Sequence, residues 1–535
     1  MGRFRAIIKR IKILLQKATD FINLYYMHQK NRNIQASNEK KTITEASNEK
    51  TITEVSYEKT IIEASNESTI IEATYEKTLT ELGNSFDLVH RSFNQDEIHI
   101  IYLNSLVDSN TLEWEILSPL REMSSFNNFE KSFQQSLFKR ENNQEEVLNG
   151  ILDGNVALFI GRNTYLINVS GSEERAIAQS ESETVISGPH DSFNEALKTN
   201  VSLIRRRVRS PRLKMIKLSV GEISKTKVLL IYIEGIANMD IVNHLKVRIE
   251  SVKVDSITDS NVLIQIIDDH QNSPFPQFYT TERPDIAVSK LYAGKIIGLV
   301  DDSPNIFCTP SSFFDFFESP DDYNQRWIIG TGVRILRYIA LFITLILTAF
   351  YVSICTYHYE MIPQSLLQSI MQSRSRVPFP PIVEAIFLEV VIELLREAGA
   401  RLPTKIGQTI GIVGGIVIGQ AAVEAGITSN ILIIVVAVSA IASFIVPSYI
   451  MSASIRMVRF LFIIMAGFMG NIGIFFALGI LTIHITGLTN LSSPYFMPIS
   501  PTFFKDWMDS IVRGPFYKIK KGQPAMQNDG EKERN

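Results

Sequence analysis

The spacing of apolar residues changes character once along the chain. Up to about residue 325 apolar positions come in short runs separated by polar ones; from Ile335 to Leu488 long apolar runs dominate. In the first part, Val156–Ile160 and Thr164–Val169 are β-rich runs joined by Gly161-Arg162-Asn163, a hairpin signal. Val228–Glu234, Val262–Ile267 and Ile296–Asp301 read as buried strands, and Ser192–Arg207 and Asp240–Ser251 as helices. This interleaving predicts a soluble α/β region over residues 86–325, built as two subdomains with a division near Ser210-Pro211.

The second part predicts an α-helical polytopic membrane domain over residues 326–490, with four or five spans. Its apolar segments are Tyr338–Thr356, Ile382–Ala398, Ile406–Val423, Asn430–Tyr449 and Phe460–Ile485. The second segment contains Glu384, Glu389, Glu393 and Glu397. The last three share one helical face and Glu384 is offset from it. Carboxylates facing lipid are costly, so this face must meet water, a partner, or Arg396 and Arg401. A helix lying at the interface and a spanning helix inside an oligomer both satisfy that demand. Pro378, Pro380 and Pro381 impose a rigid, extended approach to it.

In the third segment Gly407, Gly411, Gly415 and Gly419 recur every four residues, flanked by Gln408 and Gln420. One face is therefore a flat groove open to close approach by another backbone. Packing within one subunit and a seam between subunits around a pore both fit this pattern; in the second case Val413 and Val417 line the pore. Charge does not settle the topology. Five crossings put the basic tail (Lys505, Arg513, Lys518, Lys520, Lys521) opposite the N-terminus; dropping the second segment places Arg396, Arg401, Lys405, Arg456 and Arg459 outside.

Residues 1–30 read as a basic amphipathic helix, with Ile7, Ile8, Ile11, Leu14, Leu15 and Ala18 at helical spacing among lysines and arginines. It suits an anionic lipid surface, or the surface of the next domain. Residues 36–81 hold five copies of a repeat typified by ASNEKTITE. An odd nine-residue period turns the apolar positions to a new face with each copy, so residues 31–85 read as a solvated tether. Residues 491–535 are a polar tail.

Composition narrows the chemistry. The 45% hydrophobic content and net charge of −3 conceal the two unlike halves. The two cysteines, Cys308 and Cys355, give no disulfide framework. No zinc, nucleotide-binding or serine-nucleophile motif occurs, and neither a cofactor nor a metal is expected. For an enzyme the best candidates are His190-Asp191 and Asp268-Asp269-His270, pairs that more often cap turns. A secondary transporter would show duplicated hydropathy, which is absent here. Nucleic acid is not an expected partner.

The run PFPPIVEAIFLEVVIELLREAGARLPTKIGQTIGIVGGIVIGQAAVEAGI at Pro378–Ile427 resembles the membrane core of GerA-family A subunits. SGPHDSFNEAL, LIRRRVRSP, YIEGIAN, TERPD, DYNQRW and SPYFMPISP match the same family, so the likeness covers Val147 to Lys518. Gly330-Thr331-Gly332 departs from it, where relatives more often have serine, and the first span lacks a proline many relatives carry. The resemblance implies a spore germinant receptor subunit in the inner membrane of a bacterial spore, with its large N-terminal region cytoplasmic. It implies a permease-like B subunit and a lipoprotein C subunit as partners, and a homo-oligomer acting as a ligand-gated ion channel. A sporulation-specific paralogue of the A subunit is the nearest alternative.

Overall fold

The computed structural model describes residues 74–83, 85–93, 98–122, 138–161, 163–171, 183, 188–401, 415, 419–502 and 507–515. The expected N-terminal basic helix and all but the last copy of the repeat lie outside them. That last copy is helix α1 (Tyr75–Leu82), capped by the Thr74 side chain. It is docked rather than free: Thr78 and Leu82 are buried, and the Tyr75 ring stacks on His99 at 4.2 Å.

The first subdomain is an antiparallel sheet of β1 (Leu88–Phe93), β2 (Ile98–Leu103), β3 (Phe138–Arg140), β4 (Asn155–Ile160) and β5 (Asn163–Asn168), in the order β1-β2-β4-β5-β3. The expected hairpin is present, with Val156 opposite Ile167 and Leu158 opposite Tyr165. Alternate residues face opposite sides, so Val156 and Leu158 join one apolar cluster and Ala157 and Phe159 the other. Helix α2 (Gln144–Leu152) covers the second of these faces.

The second subdomain begins its core at Phe193, so the seam between the two cores falls ahead of Ser210. Helix α3 (Leu197–Arg207) precedes a sheet of β6 (Leu213–Val220), β7 (Thr226–Ile233), β8 (Tyr279–Thr281), β9 (Ile296–Val300) and β10 (Ile306–Thr309), in the order β6-β7-β9-β10-β8. Helices α4 (Met239–Glu250) and α5 (Ser260–Ile267) cover one face; α3 and α6 (Pro284–Tyr292) cover the other. Residues 262–267, expected as a strand, are α5. Asp259 caps its first turn, and burial at Ser260, Leu263, Ile264 and Ile267 follows the helical period. A short apolar run reads as either element until its cap is recognised.

The helical layer holds α7 (Trp327–Thr356), α8 (Gln364–Arg374), α9 (Pro381–Arg401), α10 (Asn430–Ser443) and α11 (Tyr449–Gly487). Among the described residues α7 and α11 are long and apolar enough to cross a membrane, with mean hydropathies of 2.3 and 2.2. α11 is not a single rod. At Gly470 the backbone leaves helical angles (φ 62°, ψ −140°), a conformation glycine adopts without strain. Beyond the bend the chain folds back, so a Cβ on Gly473 would overlap the Met465 carbonyl. The two legs end on consecutive residues of the second subdomain: Ser454 donates to the Pro274 carbonyl, and His484 lies 3.0 Å from the Ser273 hydroxyl. A straight helix would hold those two positions roughly 45 Å apart at ~1.5 Å per residue. The expected single span Phe460–Ile485 is therefore split by a helical hairpin.

α7 starts beside the second subdomain and ends at this bend, where the Tyr357 hydroxyl donates to the Phe468 carbonyl at 2.9 Å. α9 and α10 also run lengthwise. The N-terminal ends of both meet through Glu384 and Ser429 at the bend side, and their C-terminal ends meet through Arg396 and Ser443 near the subdomain. One continuous apolar cluster runs from the second sheet through Phe313, Phe314, Phe316 and Phe317 into α7, α10 and α11.

Candidate functional site: the carboxylate helix and its junction with the α/β region

Pro378 and Pro380 are exposed in the extended approach to α9, and Pro381 is its buried first residue. The carboxylates of α9 are met by cations from other helices. Glu389, fully buried, lies 2.7 Å from Arg459 on the first leg of α11 and accepts from the Thr348 hydroxyl of α7 at 2.9 Å. Glu393, partly exposed, pairs with Arg456 at 3.0 Å and approaches Arg396 at 4.0 Å. Glu384, off that face, is also buried; it pairs with Arg374 of α8 at 3.0 Å and accepts from the Ser429 amide. Glu397 pairs with Arg401 at the exposed C-terminal end. Arg396 stacks on Phe444 at 4.2 Å and donates to Ser443.

The sequence offered water, a partner, or Arg396 and Arg401 for this face. Arg401 does take Glu397 and Arg396 approaches Glu393, but the three inner carboxylates are paired by Arg374, Arg456 and Arg459. The missed signal was Arg456 and Arg459, three residues apart at the start of an apolar segment and so also on one helical face. Arginine suits such pairing because its guanidinium stays charged when buried and offers several donors.

Of the glycine-face candidates, Gly407, Gln408, Gly411, Val413 and Val417 lie outside the described residues. Gly415 is exposed and Gly419 half-buried; among the described residues no atom comes within 4 Å of a Cβ at either. Gln420 is exposed and donates to Glu424 at 2.9 Å. This helix edge is uncovered by any described part of the chain.

A second cluster of buried charge lies where the α/β region meets the helices. Asp315 accepts from Lys290 at 2.7 Å and Lys295 at 2.6 Å, and Glu318 also takes Lys290 at 2.6 Å. Burial alone would raise the Asp315 carboxyl, but the two ammonium groups hold it well below the usual range. For Lys295 burial wins over Asp315 and lowers it. The cluster fixes the Phe313–Phe317 turn that carries the apolar core into α7. Close by, Asp322 takes both Arg337 at 2.6 Å and Arg334 at 3.2 Å. After α11, residues 488–495 return as a strap. Tyr495 donates to the Pro276 carbonyl at 2.6 Å, Asn490 accepts from Thr309 at 2.8 Å, and Leu491 enters the second-subdomain core. A cavity of ≈ 580 Å³ opens under the second subdomain, with Glu282, Arg283 and Ile286 on one side and Phe444–Ile450 on the other.

Two of the carboxylates named for an enzyme are held in ion pairs. Asp191 pairs with Arg207 at 2.5 Å; Asp269 pairs with Arg248 and accepts from Thr489 in the strap. Among the described residues no group of three or more acidic, histidine or cysteine side chains could hold a metal.

Two antiparallel α/β subdomains, the second tied by a strap and buried ion pairs to helices of membrane-crossing length and composition, define a two-part protein: an α/β region on an apolar helical layer. The particular family follows from comparison. Residues 76–525 match the model of the Bacillus/Clostridium GerA spore germination protein, and the chain belongs to that family. Spore germination protein GerQA of Bacillus cereus is 44% identical over 428 residues, covering 79% of this chain and 86% of its own length. Spore germination protein KA of Bacillus subtilis (strain 168) is 37% identical over 463 residues, covering 84% and 85%. The crystal structure of the N-terminal domain of the A subunit of the Bacillus megaterium spore germinant receptor GerK3 aligns at 24% identity and a TM-score of 0.34, over 44% of this chain and 93% of that one.

Proposed function

We infer that the chain is the A subunit of a nutrient-responsive germinant receptor. It crosses the spore inner membrane several times, keeps its α/β region in the cytoplasm and works with a permease-like B subunit and a lipoprotein C subunit. Copies of it assemble into a ligand-gated ion channel whose opening starts germination. Family membership supports the receptor role. The observation that carries the channel reading is the uncovered edge of Gly415, Gly419, Gln420 and Glu424 on an otherwise apolar layer. In a bilayer an exposed glutamine–glutamate pair needs water or another polar surface, and a ring of such edges supplies both.

Cysteine crosslinking between neighbouring subunits along residues 407–420, read with ion release from spores, tests this assignment. Gly415→Leu is expected to weaken oligomers and abolish or deregulate ion release, because overpacking a tight contact costs about 1–3 kcal/mol. Crosslinks confined to α10 or α11, with normal ion release in Gly415→Leu, would remove this edge from the pore.

A further inference from the structure

On α9 the carboxylates recur every turn: Glu389, Glu393 and Glu397 are each four residues apart. Facing them are two arginines of α11. Glu389 holds Arg459 at 2.7 Å and Glu393 holds Arg456 at 3.0 Å, which leaves Glu397 paired to Arg401 of its own helix at the exposed end. The apolar contact repeats with the same period. Ile382 fills a notch at Gly467, where a Cβ would overlap the isoleucine side chain, and an identical Ile386 stands one turn further on.

We propose that α9 has two seated positions on α11, one helical turn apart, and slides between them by about 6 Å, four residues at ~1.5 Å each. Moving toward its own N-terminus, α9 brings Glu393 to Arg459, Glu397 to Arg456 and Ile386 into the Gly467 notch. Glu389 arrives where Ala385 now sits, beside the place Glu384 vacates and within reach of Arg374. Glu384 moves out to the exposed position of Pro380. Each end state pairs every one of these arginines with a carboxylate. Intermediate positions strand buried charge among apolar side chains, which makes the motion a step rather than a drift. The opposite shift would bring Glu389 to Arg456 but set Ala385 before Arg459, stranding that buried guanidinium, so the step has one direction.

The contacts given up are those of Arg396 with Ser443 and Phe444 and that of Glu384 with the Ser429 amide, and they hold the observed position in place. Phe444 also lines the ≈ 580 Å³ cavity beneath the second subdomain, so a movement of that subdomain acts on the latch directly. This inference concerns the movement of α9 and holds whether or not ions pass through the assembly.

The test uses the full chain in liposomes, with Cys308 and Cys355 replaced by serine. Ile382→Cys with Gly467→Cys reports the observed position. Ile386→Cys with Gly467→Cys, and Ile382→Ala to admit the new Cβ, reports the shifted one. The first pair is expected to crosslink rapidly. The second is expected to crosslink slowly, to rise at least fivefold when Glu389→Ala removes the observed pairing, and to lose that rise when Glu397→Ala is added. Should Glu389→Ala fail to accumulate, Glu397→Ala alone decides: it must lower the slow 386–467 crosslink at least fivefold and leave 382–467 unchanged. A 386–467 rate indifferent to Glu397, or no such crosslink after hours of oxidation, overturns the proposal.

Discussion

Arg459 and Glu389 meet at 2.7 Å from opposite helices, both side chains sealed from solvent. Removing one charge leaves the other buried and uncompensated, typically a cost of about 3–5 kcal/mol, whereas an apolar pair of similar volume is often tolerated. Arg459→Leu is expected to cut accumulation in membranes sharply. Adding Glu389→Leu is expected to restore most of it, as read by size-exclusion profiles of the solubilised protein. Equal loss in the single and double variants would refute an isolated pair.

Asp315 is shared by two buried lysines, so its loss is more costly than that of either partner. Asp315→Ala leaves Lys290 with Glu318 but strands Lys295. A destabilisation of roughly 3–5 kcal/mol is expected, against a smaller effect for Lys295→Met, which removes the charge that burial already disfavours. Thermal unfolding of the purified chain ranks the two.

The Asp268 carboxyl is raised by burial to about 7, with the neighbouring Asp269 charge adding to the rise and Arg248 opposing it. Below pH ~4 folded and unfolded chains both hold this proton. Between there and pH 7 only the folded chain does, so the contribution falls as pH rises and is lost above the folded value. The wild type is expected to lose on the order of 2 kcal/mol relative to Asp268→Asn between pH 4.5 and 8, allowing for partial exposure. Melting temperatures of the two proteins across that range should diverge; parallel curves would contradict the assignment.

Gly470 turns α11 back on itself at a positive φ, and a Cβ there would lie 2.8 Å from the His358 ring. Gly470→Ala is expected to cost about 1–3 kcal/mol and to expose the Tyr357–Met361 segment to protease. Gly479→Ala, on the return leg with open space around it, serves as the control and should be neutral.

What the sequence revealed follows from the range of each interaction. The β4–β5 hairpin and the strand of β7 depend on local alternation and turn residues, and both were legible. Residues 262–267 were not, because a six-residue apolar run lacks the length to separate helix from strand, and the Asp259 cap was the only arbiter. The acidic face of α9 was legible as a demand for cations. Their source was not, since Arg374, Arg456 and Arg459 lie on other helices and only the packing brings them there. The same limit applies to α11. Hydropathy runs unbroken across Gly470, and nothing in composition separates a glycine that bends a helix from one that packs it.

The strap has a consequence for the order of synthesis. Leu491 belongs to the core of the second subdomain and Tyr495 closes its edge, yet both are translated after every helix of the apolar layer. The α/β region therefore leaves the ribosome with a gap in its packing that stays open while the helices of the apolar layer are made. The gap seals only when the last leg has come back to the side on which the first one left. A chain whose helices fold back the wrong number of times delivers Leu491 to the far end of the helical layer, away from the core it fills. The core of the second subdomain then stays unfilled at Leu491.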